Sequence, residues 1–163
     1  MTHYGIIEHL RKGTYGEMPR ILGLDIGDKT IGIALSDEAQ TLAFPGTTIL
    51  RHEGKKRDMA TLRQFIANNA VGAIVVGLPL MLDDSEGIQA QKVRDFVATL
   101  RNSVRIPIFF QDERLTTFEA EQMQIAAGVR PEDRKKTIDS IAASLILQTY
   151  LNEKNQSMGA TAQ

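Results

Sequence analysis

Three carboxylates stand where an acid is locally out of place. Asp25 follows the apolar run Ile21-Leu22-Gly23-Leu24, inside a segment that reads as a strand buried on both sides, where an unpaired carboxylate would cost several kcal/mol. Glu113 lies in Gln111-Asp112-Glu113-Arg114, directly after the apolar stretch Ile108-Phe109-Phe110. That is the carboxyl end of a strand, where ligand sites of α/β proteins gather. Asp139 sits between Ile138 and Ile141 in a helical pattern, and Ala142 and Ala143 share its face. Small residues let a helix approach a sheet closely, so an acid on that face is aimed at the sheet. Each acid also has an ordinary structural reading. Asp25 could cap a turn through the amide of Gly27 or Asp28. Glu113 could pair with Arg114 or sit in the first turn of a helix, and Asp139 could favour a helix start through the macrodipole. Taken together, carboxylates converging from two strands and a helix would repel one another unless a divalent cation neutralised them. Mg²⁺ or Mn²⁺ is the physical candidate, a hard ion that prefers oxygen and is completed by water and substrate phosphates. Such a site does phosphoryl chemistry, in the two-ion scheme with one ion generating hydroxide and the other stabilising the leaving 3′-oxygen.

The composition narrows the alternatives. The chain has no cysteine, which excludes disulfides, thiolate zinc sites and cysteine nucleophiles. His3, His9 and His52 all lie near the front, so any metal is expected to be held by oxygen. Net charge is −1, without a global footprint for nucleic acid. Basic residues cluster instead at Lys55, Lys56 and Arg57 and at Arg130, Arg134, Lys135 and Lys136, each of which also reads as a solvated loop or helix start. No apolar run reaches the length of a membrane helix and no signal-peptide pattern opens the chain, so a cytoplasmic protein with no membrane partner is expected.

The elements that must position the acids follow from periodicity. Arg20 to Ile26 and Thr30 to Ser36 are strand-like runs joined by the short turn Gly27-Asp28-Lys29, a hairpin signature. A third extended stretch is expected near Thr47 to Leu50. Met59, Leu62, Phe65 and Ile66 recur at helical spacing up to Asn68-Asn69. Ala73 to Val76 reads as a doubly buried parallel strand. Ile88, Val93, Phe96, Val97 and Leu100 mark a second helix, and Ile106 to Phe110 another strand. Thr116 or Thr117 can cap a third helix that runs through Gln124 and stops at Gly128. Pro131 suits a helix start, and a last helix is expected from about Lys135 to Leu151. The order is βββαβαβαα, an α/β domain over residues 19–151. Residues 1–18 read as an extension with one weak amphipathic turn around Ile6, Ile7 and Leu10, and residues 152–163 as a disordered tail.

Gly23-Leu24-Asp25-Ile26-Gly27 with Gly32-Ile33-Ala34 and Ser36-Asp37, Val75-Val76-Gly77-Leu78-Pro79, Asp112-Glu113-Arg114-Leu115-Thr116-Thr117, and Asp139-Ser140 with Ala142-Ala143 and Leu147-Gln148 together resemble the YqgF/RuvX family. The resemblance spans Arg20 to Leu151. It implies an RNase H-like fold similar to that of Holliday junction resolvases, with a mixed five-stranded sheet and helices on both faces. It further implies a Mg²⁺- or Mn²⁺-dependent nuclease that matures the 5′ end of the 16S rRNA precursor, with ribosomal components as further partners. Carried over by position, Asp25, Glu113 and Asp139 are the catalytic metal ligands, with Asp112 an outer or alternative ligand. Lys29, Arg114, Lys135 and Lys136 then fall where they could meet a phosphate, contacts that position a strand without reading its sequence. Few aromatics (6%) leave little for base stacking, so binding should be modest and salt-sensitive. Two features depart from the pattern. Resolvase-like relatives end the fourth strand with an acid where this chain has Gly77-Leu78-Pro79, and the following loop carries Met81 and Asp83-Asp84 in place of the usual Asn and Asp-Gly. Other readings are a resolvase acting on branched DNA, a non-catalytic nucleic-acid-binding module of the same fold, and an actin-like or sugar-kinase phosphate loop, which would need a second domain.

Overall fold

A computed structural model of the chain describes residues 18–114 and 116–160; the turn expected around Ile6 lies outside them. Strands β1 (Arg20–Ile26) and β2 (Thr30–Ser36) form the expected hairpin, closed by the Gly27 N–H donating to the Thr30 carbonyl at 2.8 Å. Strand β3 (Ala43–Leu50) pairs antiparallel with β2 and begins earlier than its sequence suggests. Phe44 is exposed and Pro45 cannot donate, so the first half of this edge strand lacks an apolar alternation. Helix α1 (Lys55–Asn68) leads to β4 (Val71–Leu78), parallel to β1. Helix α2 (Ile88–Ser103) leads to β5 (Ile108–Asp112), parallel to β4. Helices α3 (Thr116–Ala126) and α4 (Pro131–Ala160) follow, and the sheet runs β3-β2-β1-β4-β5.

The central strands are buried on both faces, and period-two alternation sorts their side chains. Leu22, Leu24, Ile26, Ile31, Ile33, Ile74 and Val76 pack on Met59 and Leu62 of α1 and on Val93, Phe96, Val97 and Leu100 of α2. Ile21, Ala34 and Val75 pack the other way, on Ala143, Ile146, Leu147 and Leu151 of α4. Ile88, one of the apolar residues that mark α2, is its first residue and is 80% exposed.

Helix α4 departs most from expectation, starting at Pro131 and running past Leu151 to Ala160. The segment expected to be a disordered tail is therefore helical over 152–160. Leu151 anchors it in the core. Beyond that, the Lys154 ammonium donates to the Gln40 side-chain oxygen, and Asn155 donates to the Gln40 carbonyl at 3.2 Å. Apolar periodicity cannot report a helix held by such polar contacts.

Candidate active site

The face of the sheet toward α4 is lined by glycine where the helix crosses closest. A Cβ on Gly23 would stand 2.8 Å from Leu147 Cβ, and one on Gly32 only 2.0 Å from the Asp139 carbonyl oxygen. Asp25 on β1 pairs in register with Gly32 on β2, so the first acid lies beside the strand position on which Asp139 rests. The Thr30 hydroxyl donates to Asp139 Oδ2 at 2.5 Å and orients that carboxylate from the neighbouring strand. Glu113 follows β5, with its N–H bonded to the Leu78 carbonyl at 3.1 Å. Its side chain fills the space above Gly77, where a Cβ would meet Glu113 Oε2 at 2.6 Å. The missing acid at the end of β4 is thereby explained: the carboxylate arriving from the end of β5 occupies the room that a β4 side chain would need.

Asp25, Glu113 and Asp139 therefore converge at the carboxyl ends of β1, β4 and β5. Glu113 is pushed up to about 9, chiefly by burial and then by the Asp25 charge, a hydrogen bond with Asp25 and the Asp139 charge. Burial also raises Asp25, opposed by its hydrogen bond with Glu113 and reinforced by Asp139. At neutral pH the Glu113 carboxyl holds a proton and donates it to Asp25. Among the described residues no three acid or imidazole side chains already enclose a point that could hold an ion. The donor set is all oxygen and its burial leaves unmet demand for positive charge, which suits a hard divalent cation.

The expected phosphate contacts divide. Lys29 is exposed in the β1–β2 turn and makes no ion pair among the described residues. Lys135 and Lys136 are exposed one turn before Asp139, and Lys136 reaches Asp133 at 3.1 Å, an exposed pair of small worth. Arg114 is committed elsewhere: its guanidinium meets Asp112 at 2.7 Å and Asp84 at 2.6 Å. Without substrate, Arg114 is therefore paired with two acids, and Asp112 is tied to it. The Arg114 bond holds Asp112 below the usual carboxylate range. Gly32 and Gly77 enter the sequence reading only as parts of motifs and Thr30 only as the start of a strand, although glycine inside a strand is a signal of close approach.

A mixed sheet of this order with acids clustered at its carboxyl end defines an RNase H-like fold. The structure is similar to that of Thermus thermophilus RuvC in complex with a Holliday junction substrate, with a TM-score of 0.52 at 13% identity over 83% of this chain and 95% of that one. A second structure of Thermus thermophilus RuvC aligns with a TM-score of 0.52 at 14% identity, over 84% of this chain and 96% of that one. Residues 19–153 match the family described as "RuvX: Holliday junction resolvase", and the chain belongs to it. A relative from Thermoanaerobacter pseudethanolicus is 46% identical over 84% of this chain and 99% of its own length, and one from Roseiflexus sp. is 45% identical over 85% and 97%. Both bear the name "Putative pre-16S rRNA nuclease".

Proposed function

We propose that the protein is a divalent-metal-dependent nuclease that hydrolyses phosphodiester bonds at the 5′ end of the 16S rRNA precursor. The observation that carries the reading is the convergence of Asp25, Glu113 and Asp139 on one face, with two of them raised by burial and mutual charge. A pure binding surface gains nothing from burying like charges. The names of the relatives supply the substrate.

Asp25, Glu113 and Asp139 would hold Mg²⁺ or Mn²⁺. When bound, the cation would lower the pKa of attacking water and offset charge on the leaving oxygen. The residues themselves do the rest. Asp25 and Glu113 would hold the ion as carboxylates, so its binding would favour release of the Glu113 proton to solvent. Thr30 keeps the Asp139 carboxylate oriented through its hydroxyl. Lys29, Lys135 and Lys136 offer exposed ammonium groups to backbone phosphates, and recognition rests on shape more than on base stacking.

The test is incubation of purified protein with an end-labelled 16S precursor fragment and with a four-way DNA junction, each with Mg²⁺, Mn²⁺ or EDTA. Metal-dependent cleavage of the RNA alone is the expected result. Preferential cleavage of the junction would replace the RNA substrate with branched DNA, and binding without cleavage of either would make the chain a binding module.

A further inference from the structure

Beyond the acids, one buried carboxylate takes no part in the chemistry above. Asp58 of α1 is 1% exposed. Its Oδ1 accepts from the His52 main-chain N–H at 3.2 Å and lies 3.3 Å from His52 Nδ1. Its Oδ2 has no hydrogen bond and faces Arg51 Nε at 3.7 Å. A charge this deep is costly unless it holds something in place, and what it holds is a guanidinium with two further engagements. Arg51 lies over the Phe96 ring, 5.1 Å from its centroid, and its Nη1 donates to the Gly27 carbonyl at 2.6 Å. The main-chain N–H of Arg51 donates to the Lys29 carbonyl at 2.9 Å.

One residue thus grips both sides of the β1–β2 turn. That turn separates Asp25 from Thr30, the residue whose hydroxyl orients Asp139, and it carries Lys29. Among the described residues, a further side-chain tie on the turn is the exposed Lys92–Asp28 pair at 3.1 Å, a weak restraint. Lysine could not replace arginine here. A single ammonium cannot face Asp58, cover the Phe96 ring and reach the Gly27 carbonyl together, whereas a planar guanidinium with five donors can.

We infer that Arg51, braced by Asp58 and Phe96, is a positioning residue that fixes the β1–β2 turn, so that Thr30 holds Asp139 in register with Asp25. The inference rests on the nuclease reading for its kinetic consequence and not for its structural one. The experiment therefore has two arms. In the first, kcat and KM are measured for Arg51→Lys, Thr30→Val and the double variant. Each single change should lower kcat by roughly tenfold or more with KM within about twofold, and the double variant should fall no further than the worse single. Wild-type turnover in Arg51→Lys would confine Arg51 to neutralising Asp58, and multiplicative losses would show that it does not act through Thr30; either result overturns the inference.

The second arm needs no substrate. Amide hydrogen exchange at Gly27 and Arg51, whose N–H groups close the turn, should speed by at least about tenfold in Arg51→Lys while β4 amides stay protected. Asp58→Asn, which loosens the guanidinium from behind, should show the same pattern and serves if Arg51→Lys loosens the whole domain. Unchanged exchange in both variants overturns the inference even if the wild-type protein cleaves, and fast exchange in a protein that cleaves nothing defeats the nuclease reading alone.

Discussion

The two faces of the central sheet are built from alternate residues of the same strands and differ in kind. Toward α1 and α2, β1 presents Leu22, Leu24 and Ile26 and β2 presents Ile31 and Ile33, all buried against Phe96, Leu62 and Leu100. Toward α4 the same strands present Gly23, Asp25, Thr30, Gly32 and Ala34, and the helix answers with Asp139 and Ala143. The first face supplies stability through large apolar area. The second gives up that area so that a helix backbone can lie against the strands and bring a carboxylate to the sheet. A site assembled this way depends on the absence of side chains as much as on their presence.

The largest expected effect is on chemistry. Asp25→Asn and Asp139→Asn should each abolish cleavage of a labelled substrate while circular dichroism and melting stay those of a folded protein, because the change removes charge and metal affinity but keeps volume. Near-normal turnover in either, with contaminants excluded, would leave the α4 face a packing surface like the other. In metal-free buffer Asp25→Asn should melt above wild type, since it removes a buried charge facing Asp139 while its amide oxygen can still accept from Glu113. Wild type should gain about 2.7 kcal/mol when free Mg²⁺ or Mn²⁺ reaches a hundred times its dissociation constant, and the variant should lose that gain.

Next in size is the packing contrast. Gly32→Ala would place a Cβ 2.0 Å from the Asp139 carbonyl oxygen, so α4 must move away, at about 3 kcal/mol or more and with loss of activity. Leu22→Ala on the opposite face should cost about 2–5 kcal/mol through a cavity. It should leave residual activity in proportion to the folded fraction. Urea denaturation beside a cleavage assay separates the two.

A smaller effect is the pH dependence of the metal-free protein. Glu113 ionises near 4.5 when unfolded and at about 9 when folded. Between those values the native state holds the extra proton, so stability falls as pH rises through that window. Melting temperature should decline from pH 5 to pH 8 in EDTA, and Glu113→Gln should flatten the decline. A slope unchanged in Glu113→Gln would mean that the acids of the α4 face do not share a proton.

The smallest is Lys136→Ala, expected to weaken nucleic-acid binding and lower the salt slope by about one unit without altering metal affinity. An unchanged slope would leave Lys136 an exposed partner of Asp133.

Local pattern settled much of this molecule. Short apolar runs mark β1 and β2 to the residue, and Asn68-Asn69, Gly128 and Pro131 punctuate the helices as their backbone chemistry requires. Asp25 stands out because a carboxylate in an apolar run is costly wherever the run folds, Glu113 because it follows a buried strand, and Asp139 because it shares a helix face with Ala142 and Ala143. Tertiary structure decided the rest, since it depends on which atoms meet across long stretches of chain. Arg114 reads from sequence as a free cation beside Glu113, whereas in the fold its guanidinium is paired with Asp84 and Asp112. Helix α4 outlasts its apolar pattern because Gln40 holds its polar end. Gly32 and Gly77 look like ordinary strand glycines until Asp139 and Glu113 fill the space that they leave. A residue's type sets what it can do at close range, and only the packed fold sets what comes within that range.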